Sequence, residues 1–181
     1  MDEHHDNDEV RDDTGRGEDA PPLGEREWRV LLAAAGHSAF PCRDRAILSL
    51  FWHFGATVRQ VTGLRAADVD LPAGTLAWPS GGGASLPLEV TRTLQTYVSL
   101  ERPRHAATLF CGRGQRALTA RDVDRCFRRL ARVSGIRADP LSLRRAALYR
   151  LLRAAPLQAL TLRPVRPPER DAARVSGREG L

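Results

Sequence analysis

The sequence contains no lysine, so all 28 of its basic side chains are arginines. This absence excludes any reaction that depends on a lysine amine. A GC-rich coding bias replaces lysine by arginine and enriches alanine, glycine and proline as well. The abundance of arginine is therefore weak evidence for phosphate binding when it is taken alone.

Long apolar runs are also missing. The chain has no stretch of about 18 apolar residues and no basic start that leads into an apolar core, so we expect neither a membrane span nor a signal peptide. A cytoplasmic location is the expectation that follows. With 181 residues, the chain is long enough for one domain with a hydrophobic core and short for two.

Cysteine is scarce. The three cysteines, Cys42, Cys111 and Cys126, are widely spaced and form no CxxC motif. Small buried thiols in a reducing compartment are the favoured interpretation, and a metal or redox role is the less favoured alternative. His4 and His5 in an acidic start are a weak metal signal. We therefore expect no metal site and no cofactor.

Charge is distributed unevenly along the chain. Residues 1–20 contain nine acids against Arg11 and Arg16, a net charge of −7, whereas residues 21–181 contain 26 arginines against 13 acids, a net charge of +13. An acidic segment joined to a basic domain is typical of proteins that approach polyanions.

Apolar periodicity predicts a mainly α protein with a small antiparallel β-sheet, the α+β class. The most apolar helix should lie at the centre of the domain, because it is hydrophobic around most of its circumference. We predict three regions: a disordered acidic tail over 1–22, one domain over 23–162 and a disordered Pro/Arg-rich tail over 163–181. The predicted helices cover 25–35, 43–54, 58–64, 89–100, 120–132 and 141–155, and the predicted strands cover 69–71, 75–78 and 84–88.

One predicted helix carries an arginine stripe. Thr119 and Asp122 resemble a capping box at its start. Four arginines then recur at steps of four, three and four, with Arg129 beside them; they are Arg121, Arg125, Arg128 and Arg132. A solvated helix face is one interpretation, and contact with phosphates is the other. The positive charge of the surrounding domain favours phosphate contact.

Residues 23–160 resemble the catalytic domain of the tyrosine recombinase, or phage integrase, family. Four stretches carry the resemblance, in order along the chain: RDRAILSLFWHFGATVRQVTGLRAADVDL, ASLPLEVTRTLQTYV, LFCGRGQRALTARDVDRCFRRLARVSGI and DPLSLRRAALYRLL. The resemblance implies a recombinase catalytic-domain fold. It also implies a reaction in which a tyrosine attacks a DNA phosphodiester, while two arginines, a lysine and one or two histidines stabilise the transition state.

Most of the catalytic positions that the resemblance implies hold other residues. Thr57 occupies the position of the first arginine, and the hairpin turn over 79–83 holds no lysine. Leu141 occupies the position of a histidine, and Arg145 replaces the histidine that follows the second arginine. The second arginine is present as Arg144, which is the one matched catalytic position.

The nucleophile is also unmatched. The sequence has only two tyrosines: Tyr97 lies too early in the chain, and Tyr149 lies within the helix of Arg144. After Gln158 the chain departs from the family pattern, so the resemblance implies a domain truncated at its C-terminus. We therefore expect a pseudoenzyme that does not cleave DNA by itself, even if a partner were to supply a tyrosine.

Three hypotheses remain open. The first is a DNA-binding protein associated with recombination or integration, which meets the phosphates of double-stranded DNA through Arg121, Arg125, Arg128, Arg132, Arg144 and Arg145. The second is a regulatory domain that docks on an active recombinase, and the third is a decayed integrase remnant. None of them requires a membrane or a small-molecule substrate.

Overall fold

The computed structural model describes residues 22–154. The predicted tails over 1–22 and 163–181 lie outside the described residues, apart from Pro22, and so does the predicted end of the domain near 162. Within the described range, the α+β class is confirmed: the structure contains six α-helices and one small antiparallel sheet. None of these six helices is long and apolar enough to cross a membrane.

The helices and strands follow the predicted order. The helices are α1 (Glu25–Ala35), α2 (Pro41–Phe54), α3 (Val58–Gly63), α4 (Leu88–Leu100), α5 (Ala120–Ser134) and α6 (Pro140–Ala154). The strands β1 (Val69–Asp70), β2 (Thr75–Ala77) and β3 (Gly83–Ser85) form an antiparallel sheet in the order β1-β2-β3.

Strand β3 is shorter than the predicted strand over 84–88. It ends at Ser85, and Pro87 is the N-cap residue of α4. Because proline has no backbone N–H to donate to a ladder, it fits the start of a helix better than the interior of a strand. The assignment of Leu88 to a strand was therefore wrong, and this residue begins α4.

Helix α2 is the centre of the fold. Nine of its 14 residues are buried, and it packs against α1, α4 and α6. It begins at Pro41, two residues before the predicted start. Glu101, at the C-terminal end of α4, explains the earlier start, because its carboxylate accepts hydrogen bonds from the backbone N–H groups of Cys42 (2.8 Å) and Arg43 (2.9 Å).

Aromatic contacts join α2 to its neighbours. Trp52 stacks on Trp28 of α1, with ring centroids 4.9 Å apart and the planes inclined by 4°. Phe51 meets Phe127 of α5 edge to face, with centroids 5.5 Å apart. Such pairs contribute about 0.5–1.5 kcal/mol each beyond the apolar area that they bury.

A charged cluster lies inside this apolar core. The Asp44 side chain is completely buried and accepts two hydrogen bonds from Arg43, each 2.9 Å long. It also accepts a hydrogen bond from Arg129 of α5. Nη1 of Arg43 donates to the carbonyl oxygen of Cys111 at 3.0 Å. The cluster therefore fastens α2 both to α5 and to the loop that precedes α5.

We predict that Asp44→Asn destabilises the fold by about 3–5 kcal/mol, because it leaves the buried Arg43 guanidinium without a counter-charge. Urea unfolding at neutral pH measures the change. Asp124→Asn is the matched control: Asp124 pairs with Arg128 on the surface, so its loss should stay within about 0.5 kcal/mol. Equal effects of the two substitutions would contradict a structural role for the buried carboxylate.

Candidate nucleic-acid interface

Thr57, at the position expected for the first catalytic arginine, caps the short helix α3. Its Oγ1 accepts a hydrogen bond from the backbone N–H of Gln60 at 3.1 Å. Its own N–H donates to Oε1 of Gln60 at 2.8 Å, which completes a capping box. The side chain at this position is therefore committed to helix capping.

The hairpin turn expected to hold the catalytic lysine lies against the same helix. Nε2 of Gln60 donates to Oγ of Ser80 in this turn at 3.1 Å. A methyl group added at Gly63, the last residue of α3, would lie 3.4 Å from Cγ of Pro79. Hydrogen bonds between uncharged groups thus connect Thr57, where the resemblance implies an arginine, to the hairpin turn, where it implies a lysine.

Arg144 of α6 lies beside the C-terminal end of α2. Gly55 follows the last residue of α2 and has a left-handed φ of 60°, and a methyl group added there would lie 3.5 Å from Cγ of Arg144. The turn that leads to Thr57 therefore packs directly on α6. Leu141, at the position expected for a histidine, lies in the first turn of α6 with 56% of its surface exposed.

The two tyrosines of the sequence have different environments. Tyr97 is buried; its hydroxyl donates to the carbonyl oxygen of Leu109 and accepts from the N–H of Cys111, and burial raises its pKa to about 12. Tyr149 is exposed on α6, with the Arg153 guanidinium 5.0 Å from its ring centroid. Tyr149 follows Arg144 by five positions, which places the two side chains about 140° apart around the helix.

The arginine stripe forms the exposed face of α5. The four arginines predicted to share this face are all exposed: Arg121, Arg125, Arg128 and Arg132. Arg125 pairs with Asp122 at 2.8 Å, and Arg128 pairs with Asp124 at 2.6 Å. The Arg128–Asp124 pair is exposed on both sides, so it contributes little net free energy, whereas the Asp122 side chain is only 11% exposed.

Two further arginines near the stripe, Arg129 and Arg116, have roles that could not be predicted from the spacing of arginines in the sequence. Arg129 turns inward to the buried Asp44, so it stabilises the core and does not extend the exposed face. Arg116 binds both carboxylate oxygens of Asp122, at 2.7 and 2.8 Å. This bidentate contact holds the pKa of Asp122 well below its usual range. Arg116 precedes the helix, where no periodic pattern could have identified it.

Helix α6 presents a second basic surface. It contains four arginines and no acid, and no ion pair within residues 22–154 involves any of its residues: Arg144, Arg145, Arg150 and Arg153. Arg150 lies over the Trp52 indole, 3.7 Å from the ring centroid, and donates to the Trp52 carbonyl oxygen. Arg145 and Arg153 are exposed. Carboxylates therefore neutralise α6 less than they neutralise α5.

None of the three cysteines belongs to the exposed arginine faces of α5 and α6. All three are free thiols; Cys111 and Cys126 are buried, and burial raises the pKa of Cys126 to about 12. Among residues 22–154, no three histidine, cysteine or acidic side chains are grouped closely enough to hold a metal ion.

Comparisons with solved structures support the fold, whereas comparisons with known sequences find no match. No protein-family model and no curated protein sequence matches the chain. Among solved structures, XerA recombinase matches with a TM-score of 0.67 and 24% identity, over 75% of this chain and 52% of that one.

Two DNA complexes also match. The Tn1549 transposon integrase, in complex with circular intermediate DNA, gives a TM-score of 0.65 at 17% identity, over 80% of this chain and 55% of the integrase. Lambda integrase bound to DNA gives 0.57 at 18% identity, over 74% and 51% of the two chains. The chain spans about half the length of these solved structures, and residues 22–154 have the tyrosine recombinase catalytic-domain fold.

Proposed function

We propose that this chain is a recombinase-like DNA-binding protein, associated with DNA recombination or integration, that does not cleave DNA by itself. The observation that carries the proposal is a recombinase fold whose α5 and α6 expose arginines, one of which, Arg128, is held by an ion pair that is exposed on both sides. Two solved structures that share the fold are DNA complexes, which supports DNA as the ligand. Double-stranded DNA is the partner, bound through its phosphate backbone.

The lack of cleavage follows from the chemistry of the catalytic positions. Removing one preorganised charge-stabilising donor commonly lowers a rate on the order of a hundredfold to a thousandfold. Here Thr57 supplies an uncharged group where an arginine is expected, the hairpin turn over 79–83 holds no lysine, and Leu141 cannot transfer a proton. Arg144, the one matched catalytic position, can bind a phosphate, but its guanidinium acts neither as a nucleophile nor as a proton donor.

DNA binding should fall steeply with salt, because each phosphate contact releases condensed counterions. Arg121→Gln combined with Arg132→Gln removes two exposed charges of α5 and should reduce the slope of log K against log[salt] by about 2. Fluorescence anisotropy with a labelled duplex between about 50 and 200 mM salt measures this slope.

Arg92→Gln combined with Arg104→Gln is the matched control. Both residues are exposed and lie outside α5 and α6, so their loss should leave the salt slope nearly unchanged. A wild-type affinity that stays constant over the same salt range would contradict the proposal. A control pair that changes the slope as much as the α5 pair would contradict the assignment of the surface.

A nicked suicide duplex, which traps covalent intermediates, tests the proposed lack of cleavage. We expect no protein–DNA adduct on a denaturing gel, and none after Thr57→Arg combined with Leu141→His, because these substitutions restore two stabilisers without a nucleophile. An active tyrosine recombinase on its own duplex is the positive control. An adduct with the wild-type chain would identify it as an enzyme.

A second function is favoured by the exposed leucines of α6. Leu141, Leu148, Leu151 and Leu152 are each 47–78% exposed, and exposed apolar side chains grouped on one helix are a feature of protein-interaction surfaces. We propose as the alternative that this face docks on an active recombinase and regulates it.

Size-exclusion chromatography with an integrase encoded near this chain tests the alternative. A complex that Leu148→Glu with Leu152→Glu abolishes would support it. Val133→Glu is the control, because Val133 is equally exposed but lies on α5 and should not be needed. If no complex forms with the wild-type chain, the docking function is excluded for that integrase.

A further inference from the structure

The two strongest charge concentrations of the chain have opposite signs. Residues 1–20 hold nine acids, whereas α6 holds four arginines and no acid. The ion pairs of α5 already engage Arg125, Arg128 and Arg129 with carboxylates. Among residues 22–154, by contrast, no carboxylate forms an ion pair with an arginine of α6.

The acidic segment joins the domain close to this surface. It leads into α1, whose first residue is Glu25, and Trp28 in the next turn stacks on Trp52. The Arg150 guanidinium lies over the same Trp52 indole. The charge of Glu25 is near enough to oppose the burial that lowers the pKa of Arg150. One indole therefore contacts both the first turns of α1 and the arginine side of α6.

The length of the segment is sufficient for contact with the whole of α6. Twenty residues can reach at most about 70 Å when fully extended, and α6, with 15 residues, is about 22 Å long. A ligand tethered by a chain of this length is present at an effective concentration in the millimolar range. Weak, multipoint ion pairing is therefore enough to keep the surface occupied at low ionic strength.

We propose that residues 1–20 dock on the arginines of α6 and compete there with DNA phosphates. The regulatory part of this inference rests on the proposed DNA binding, because it makes the segment an internal competitor that a duplex must displace. An isolated phosphate does not displace nine acids, but a continuous polyanion does. The segment thus selects for long, densely charged ligands at the expense of small anions.

The location of the segment is tested without DNA. Asn7→Cys, combined with Cys42→Ser, places a paramagnetic label in the acidic segment of the full chain; the remaining cysteines are buried. At about 50 mM salt, we expect the label to broaden amide resonances of α6 far more than those of α4. Changing the nine acids to Asn and Gln, or Arg145→Gln with Arg153→Gln, should remove this broadening, whereas Arg92→Gln with Arg104→Gln should not.

The competition is tested by DNA affinity in the full chain. Neutralising the nine acids should tighten duplex binding on the order of tenfold at about 50 mM salt, and the difference should shrink as salt rises. Arg11→Gln with Arg16→Gln makes the same segment more acidic and should weaken binding. Net charge alone also tightens DNA binding, so the affinity change supports the proposal only together with broadening that is localised on α6.

The outcomes separate the two proposals. Broadening on α6 without DNA binding by either chain would overturn the proposed function and leave the docking intact. DNA binding with broadening that is uniform, or strongest on α4, would overturn the docking and leave the proposed function intact.

Discussion

The buried carboxylate of Asp44 is the constraint on which the arrangement of the helices depends. It lies in the first turn of the most buried helix, and a carboxylate there is stable only if cations neutralise it within the core. Arg43 supplies one guanidinium from α2, and Arg129 supplies another from α5. Because Arg129 must point inward, the rotation of α5 about its axis is fixed. Its neighbour Arg128, about 100° around the helix, must then face solvent.

Fold and chemistry are separable in this chain because they depend on different residues. The core consists of apolar and aromatic contacts around α2, and none of them involves a position at which the recombinase resemblance implies a catalytic group. Thr57 is half-buried, Leu141 and the tip of the hairpin turn are exposed, and none of them belongs to the buried core cluster. A protein can therefore keep this fold without keeping the residues that its reaction requires.

Local patterns in the sequence were sufficient for most of the fold. Apolar patterns placed the first five helices, Asp139-Pro140 marked the start of α6, and the Thr119–Asp122 capping box marked the start of α5 correctly. The errors at the ends of α2 and β3 were partly local, because Pro41 and Pro87 each mark the start of a helix. Other errors came from contacts between residues distant in sequence. Glu101, more than 50 residues away, extends α2 to Pro41, and no helical period could reveal that Arg129 pairs with Asp44.

For the candidate site, the sequence supplied residue positions but not their contacts. The structure shows that Gly55 packs against Arg144 and that Gln60 bonds to Ser80 of the hairpin turn, which no sequence pattern indicated. The motif Thr57-x-x-Gln60 is a capping box that the sequence displays and that its periodicity did not bring out. Which arginines of the stripe are exposed followed from spacing, whereas their partners depended on the tertiary structure.

The capping box at Thr57 limits which side chains can occupy this position without a loss of stability. Arginine there would remove the hydroxyl that caps α3, at a cost of about 1 kcal/mol. The Gln60 side chain would keep its hydrogen bonds with the backbone N–H of residue 57 and with Ser80, because neither bond involves the Thr57 side chain. The stability of α3 therefore favours a short hydroxyl side chain at position 57, independently of any reaction at this site.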